Sequence, residues 1–390
     1  MPSRIYLLLF AIAALTLLLA GPATFGADDS VDAALATISR VGPGAAGSSE
    51  ARRAAEMLAV QDSTVLPRLL LAMQTPNPVA ANWLRTAYEQ VVARELSRPE
   101  PRFPLVELKA FVKDPAHSGR VRRLALALCE RLEPGFTDAW VPDQFSDPEF
   151  RADAVEVLVA AGAKAVDAGD SETAKQKFTL AFEHARDSQQ VVRAADRLKA
   201  LGSAVDVPAQ LGLVVDWWLL GPFAAPGFSG FDLVFPPEER VDLAAEYTGA
   251  DGQPIRWLRH HTDDPLGLVN LVQGVAPAAE AAGYAYAELN SPRDMPAQLR
   301  TGADDNCTVW LNGQKVFGRQ QWLNGIRLDR FVTPVQLRAG KNQLLVKICQ
   351  GPQHKDPQVP NNWSLQLRFC DENGAGIALK NLLPPAEAEK

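Results

Sequence analysis

The chain has 390 residues, enough for two or three domains that each bury a core, so a single small domain is excluded. With 39 Lys and Arg against 46 Asp and Glu, the formal charge of −7 leaves no global attraction to nucleic acid, and no nucleic-acid partner is expected. At 47% hydrophobic and 22% charged residues, the chain fits neither a disordered protein nor a multi-span membrane protein.

Arg4 is followed by an uncharged apolar run from Ile5 to Ala20, then Gly21, Pro22 and small residues up to Gly26 and Ala27, before Asp28 and Asp29. A positive start, a short apolar stretch and a small-residue exit read as a secretory signal peptide over residues 1–27, with cleavage after Ala23, Gly26 or Ala27. The run is short for a spanning helix, so the expected location is secreted, periplasmic or cell-envelope, with no stable membrane insertion after cleavage. Export places Cys129, Cys307, Cys349 and Cys370 where pairing is allowed but not required. If the segments ending near Cys349 and starting near Trp363 are neighbouring antiparallel strands, Cys370 lies about 20 Å from Cys349, too far for a disulfide. No C-x-x-C spacing supports a zinc site.

Residues 28–208 are rich in Ala, Leu, Arg and Glu, with apolar residues at helical spacing such as Ala54, Ala55, Leu58 and Ala59. An Arg-then-Ala register recurs at Arg53, Arg85, Arg123 and Arg151, its alanines stepping by 33, 38 and 29 residues. Units of that length, with Asp114-Pro115 and Asp147-Pro148 near helix starts, resemble irregular HEAT-type helix pairs. From Ala160 to Leu201 the pattern is more similar to a tetratricopeptide hairpin. An irregular α-bundle without a true repeat is the alternative. Arg52, Arg53, Arg122, Arg123 and Glu156 are expected on solvated helix faces. Stacked helix pairs offer a long surface for a protein partner.

After Asp206-Val207-Pro208 the composition changes, and six of the eight Trp follow. Short alternating runs predict strands near 214–220, 255–259, 268–272, 284–289, 297–300, 308–311, 330–337, 344–348 and 363–369. Asn312-Gly313 reads as a type I′ turn closing a tight hairpin from 308–311 to 315–317. The fold class expected is therefore α then β: an α-solenoid-like helical domain followed by a β-sandwich jelly roll over 209–385, with residues 386–390 a disordered tail.

The segment from Gly302 to Val316, containing Asp304-Asp305-Asn306 and Trp310-Leu311-Asn312-Gly313, resembles the core strand pair of galactose-binding-like jelly rolls. Gly340 to Lys347 and Trp363 to Arg368 match the strands that follow in that pattern, and Trp217 to Phe223 with Phe235 to Glu238 is similar to the opening of such domains in secreted bacterial proteins. The resemblance spans about residues 211–385. In protective-antigen-type modules of adhesins a similar aspartate pair ligates calcium, which meets sugar hydroxyls. The resemblance thus implies Asp304 and Asp305 as calcium ligands, while the residues themselves also fit a loop role in which the carboxylates accept from backbone amides. Trp322, Trp363 and Tyr286 are candidates for stacking on a sugar ring; strand tryptophans such as Trp363 are more often core, so Trp322, in a loop, is the better surface candidate.

Signals of catalysis are weak. Arg259-His260-His261-Thr262-Asp263-Asp264 could bind a transition metal only if the strand ends there, because consecutive strand residues face opposite sides. Gly227-Phe228-Ser229-Gly230 lacks the spaced glycine of a nucleophile elbow. The expected function is non-catalytic: the jelly roll recognises carbohydrate or another surface component, with the helices as a protein-interaction scaffold. Rival expectations are a purely structural scaffold of an envelope assembly and an accessory part of a polysaccharide-degrading system.

Overall fold

The computed structural model describes residues 27–322, 325–356 and 358–382, so the signal segment before Ala27 and the tail 386–390 lie outside the described residues. A helical region is followed by antiparallel β-sheets in a sandwich-like arrangement, with no closed barrel. The chain divides into two compact units, one ending at Thr137 and one starting at Asp138.

The first unit holds α1 (Ala27–Ser39), α2 (Ser48–Ala59), α3 (Leu66–Ala72), α4 (Pro78–Leu96), α5 (Leu105–Lys113) and α6 (Gly119–Leu132). Helix α4 shows why these segments are helical: the Asn77 side chain accepts from the Val79 and Ala80 amides, Pro78 occupies the first turn, and Ala80, Leu84, Ala87, Tyr88 and Val91 form one buried face. Arg122 departs from expectation. It is 1% exposed because its Nε donates to the Val112 carbonyl at 2.8 Å, tying α6 to the end of α5.

The short α7 (Phe136–Trp140) spans the division, and α8 (Arg151–Asp167), α9 (Ser171–His184), α10 (Ser188–Ala200) and α11 (Val207–Leu211) belong to the second unit. Arg151 is buried and donates to the Phe145 and Asn373 carbonyls, whereas Arg53, Arg85 and Arg123 are exposed. The recurrent arginines therefore do not occupy equivalent places. The change from helix to strand falls after Leu211, but helices α8–α11 share a compact unit with the sheets: Leu213 and Leu266 pack on the cluster around Val155, Ala181 and Val191.

The strands are β1 (Asp216–Ala224), β2 (Glu246–Thr248), β3 (Pro254–Arg256), β4 (Leu258–His261), β5 (Val269–Asn270), β6 (Ala281–Ser291), β7 (Met295–Asp304), β8 (Asn306–Leu311), β9 (Gln314–Arg319), β10 (Phe331–Leu337), β11 (Gly340–Gln350), β12 (Ser364–Cys370) and β13 (Lys380–Asn381). One sheet runs β4-β1-β6-β11-β8-β9 with β13 also on β6, a second runs β10-β7-β12-β5, and β2-β3 form a small hairpin. Trp217, Leu219, Ala285, Val309, Val346 and Ile348 from the large sheet meet Leu299, Ala303, Trp363, Leu365, Leu367 and Phe369 in one core. A second apolar cluster, with Phe223, Tyr284, Tyr286 and Leu345, lies on the other face of the large sheet beneath Phe235, Val241, Leu243 and Tyr247.

Strands β11 and β12 are in different sheets, contrary to the adjacency assumed for Cys349 and Cys370. All four cysteines are buried and unpaired. No helix among the described residues is long and apolar enough to cross a membrane.

Candidate functional site

Asp304 is the last residue of β7, opposite Ser364 of β12, and Asn306 is the first of β8, opposite Cys349 of β11. The chain thus steps from the small sheet to the large one at Asp305, through a cis Asp304–Asp305 peptide. Both aspartates are buried, and their carboxyls hydrogen-bond each other. Burial, that hydrogen bond and the Asp305 charge together push the Asp304 carboxyl up to about 7, against a smaller opposing pull from the Gly325 amide and the Arg330 charge. Asp305 donates its amide to the Cys349 carbonyl at 3.2 Å and accepts from the Gly351 amide at 3.3 Å on Oδ2.

A loop after β9 completes the surroundings. Gln321 donates its amide to Asn306 Oδ1, and its side chain donates to the Asp305 carbonyl at 3.4 Å. Asp329 holds the far end of the loop through Arg300 at 3.1 Å and through buried Arg368. Arg330 donates to the Gly325 carbonyl at 3.1 Å. Gly302 is required where this loop crosses β7, because a Cβ there would overlap the Arg327 carbonyl.

The aspartates open on a cleft of about 290 Å³, also lined by Gln350, His354, Asn361 and Asn362. Asn361 donates to the Ala278 carbonyl at 2.9 Å and accepts from Gln350 Nε2, an order that fixes which end of the Gln350 amide is oxygen. Gln350 Oε1 is buried without a hydrogen-bond partner. Two hydrogen-bonded carboxyls and the unpartnered Gln350 oxygen belong to residues lining one cleft, and oxygens of this kind are the donors a hard divalent cation takes: Asp304, Asp305 and Gln350 would be its ligands. Among the described residues, no three His, Cys, Asp or Glu side chains converge to hold a metal, so amide or carbonyl oxygens would have to complete such a set.

Of the five residues singled out in the sequence, Asp304 and Asp305 are together in the cleft. Trp322 is half-buried, edge-on to Phe228 at 4.8 Å between ring centroids. Both rings cover Gly351, where a Cβ would lie 3.1 Å from Trp322, so Trp322 stands one residue away from Asp305. Trp363 does not present a face to ligand: it is fully buried over Gly283, and its Nε1 donates to the Ile348 carbonyl at 3.2 Å. Tyr286 is likewise withdrawn, 2% exposed on the far face of the large sheet with its hydroxyl donating to Glu288 at 2.7 Å. Sequence reasoning missed Gln350, His354, Asn361 and Asn362, although Gln350 ends β11 and the other three lie between β11 and β12 at the sandwich end that holds the aspartates.

The histidine pair does not form a metal site. His260 and His261 sit opposite Trp217 and Asp216 and face opposite sides; His261 contacts Asp216 at 2.8 Å and Asp263 at 3.5 Å, while Asp264 caps the following turn. Ser229 donates to the Pro226 carbonyl at 2.8 Å.

No protein-family model and no curated protein matches the chain. Among solved structures it is similar to an anti-sigma factor domain-containing protein (11% identity, 40% of this chain and 43% of that one, TM-score 0.25). It is also similar to a PA14 sugar-binding domain from an RTX adhesin (15% identity, 43% of this chain and 96% of that one, TM-score 0.25). A family 35 carbohydrate binding module from Clostridium thermocellum shares 18% identity over 22% of this chain and 69% of that one, with a TM-score of 0.15. The chain spans less than half the length of the first of these.

Proposed function

We propose that the protein is an exported, non-catalytic binding protein whose β-sandwich recognises carbohydrate through a divalent cation, calcium by preference, held at the Asp304–Asp305 corner. The observation that supports it is that two buried, mutually hydrogen-bonded carboxyls and Gln350, whose side-chain oxygen has no partner, line one cleft rimmed by side-chain amides. A cation bound there would offer its open positions to vicinal hydroxyls, while Asn361 and Asn362 supply donors and acceptors at the rim. The helices would serve as a scaffold for a protein partner, and the Ile5 to Ala20 run is the basis for export.

The test is calorimetric titration of the mature chain with calcium, followed by a glycan panel in calcium and in chelator. The expected result is glycan binding that requires calcium and is lost in Asp304→Asn and Asp305→Asn. Calcium-independent binding, or none at all in either buffer, would leave the aspartates as corner residues that only accept loop amides. Turnover of a glycoside abolished by a single carboxylate substitution would overturn the non-catalytic assignment.

A further inference from the structure

Strand β1 pairs with β6 only down to Trp218, opposite Tyr286, and from Leu289 onward β13 takes the place beside β6. The start of β1 therefore splays from β6, tied to β13 by the Asn381 side chain, which donates to the Asp216 carbonyl at 2.9 Å. Between α11, the start of β1, the turn after β4 and β13 lies a cleft of about 450 Å³.

The walls of this cleft are apolar. Leu213, Val215 and Leu379 are half-buried in it, Ala378 is exposed, and it reaches the core residues Val214, Leu289 and Phe369. The polar side chains that line it offer acceptors. Asp216, 29% exposed, takes the His261 Nδ1–H at 2.8 Å, which fixes the neutral imidazole as the tautomer with an acceptor at Nε2. Asp263, fully exposed, brings a carboxylate oxygen to 3.5 Å from that Nε2, so an N–H set between the two serves both. The side-chain donors are already engaged: Asn381 on the Asp216 carbonyl, and the Thr262 hydroxyl on the Leu268 carbonyl at 2.6 Å. None of the described residues lining the cleft is Lys or Arg. A group that enters meets negative charge and lone pairs beside hydrocarbon, which is complementary to an ammonium on an alkyl chain.

We propose that this cleft is a second binding site, separate from the aspartate corner and independent of calcium, for a primary aliphatic amine. The alkyl chain lies along Leu213, Val215, Ala378 and Leu379, and the ammonium donates to Asp216, His261 Nε2 and Asp263. A carboxylate of the same length would meet like charge. An alcohol would fill the apolar walls but bring one donor and no counter-charge. A free alkylamine and the side chain of a lysine in a partner peptide share this chemistry.

The experiment is ligand-observed NMR titration of the full mature chain at pH 8 in chelator, with hexylamine, hexanol, hexanoate and Nα-acetyl-lysine methylamide as probes. Hexylamine is expected to bind at least about tenfold tighter than hexanol and to weaken severalfold as salt rises, with hexanoate not bound. Binding of either amine upholds the site, and the tighter of the two identifies its source. Asp216→Asn should weaken the amine about tenfold. Because that change also touches His261, Ala378→Trp, at an exposed wall, gives a second reading: it should abolish amine binding while the urea midpoint stays unchanged. No binding of either amine at about 10 mM, equal affinity for hexanol, or affinity unchanged in both variants would overturn the proposal.

Discussion

The Lys347 ammonium, 1% exposed, pairs with Glu238 Oε1 at 2.8 Å beneath the segment that covers the outer face of the large sheet. The same carboxylate oxygen accepts from the Tyr284 hydroxyl at 2.6 Å, and Lys347 also donates to the Leu233 carbonyl. This three-way contact fastens residues 233–238 to strands β6 and β11.

Removing one partner leaves a buried charge without compensation. Lys347→Met or Glu238→Gln should therefore cost about 3–5 kcal/mol of stability, read by urea unfolding. Replacing both together with apolar residues should cost less than either single change, since the desolvation penalty of the pair disappears with it.

Asp329 and Asp304 should impose opposite pH dependences. Burial alone would raise the Asp329 carboxyl, but the hydrogen bonds and charges of Arg368 and Arg300 outweigh it and the net shift is downward. Its contribution is present above the ordinary carboxylate range and lost as pH falls through the lowered folded value. Asp304 is raised to about 7, so in calcium-free solution its contribution is full below the ordinary carboxylate range and declines until pH passes about 7. Thermal unfolding in chelator should show acid destabilisation weakened in Asp329→Asn, and a decline from pH 4 to 7 weakened in Asp304→Asn. Unchanged slopes in both variants would contradict these assignments.

Gly302 is the point where loop 325–330 rests on β7. Gly302→Ala forces the Arg327 carbonyl away, at a cost of about 1–3 kcal/mol for an overpacked contact. Calcium and glycan affinity should fall more than stability does, because the displaced loop carries the Gly325 amide that faces Asp304. Equal losses of binding and stability would show that the loop does not position the corner.

Cys307 faces the sandwich core, and Cys349 faces the outer cluster. Burial pushes each thiol up to about 12. Thiol titration of the purified protein should find none reactive when folded and four after denaturation without reductant.

Much of the sandwich is legible in alternation. The predicted 284–289 and 344–348 runs are the centres of β6 and β11, and Asn312-Gly313 turns with φ of 54° and 77°, as a type I′ hairpin needs. Which strands lie side by side is not legible, because pairing depends on long-range closure; the adjacency of β11 and β12 could be entertained only as a condition, and one lies in each sheet. The run near 268–272 breaks after Asn270 because the Asn270 side chain caps a helical turn at Leu271–Gly274. At the corner, adjacent aspartates are visible in one dimension. Gln350 and Asn361 are not, since they join Asp305 only where β11 ends and β12 begins at the same end of the sandwich. Trp363 reads two ways in sequence, as core and as a stacking surface, and Gly283, which leaves room for its ring, places it in the core.

The step from one sheet to the other at Asp305 also determines how a tether would pull on the molecule. A ligand gripped at Asp304 and Asp305 would draw on β7, paired with β10 and β12, and on β8, paired with β9 and β11. Tension entering at the corner is divided between the two sheets, and where it runs along β7 and β8 it loads their cross-strand bonds together instead of singly. A domain attached to a surface by that corner would yield at higher force than one held by an edge strand such as β9 or β10.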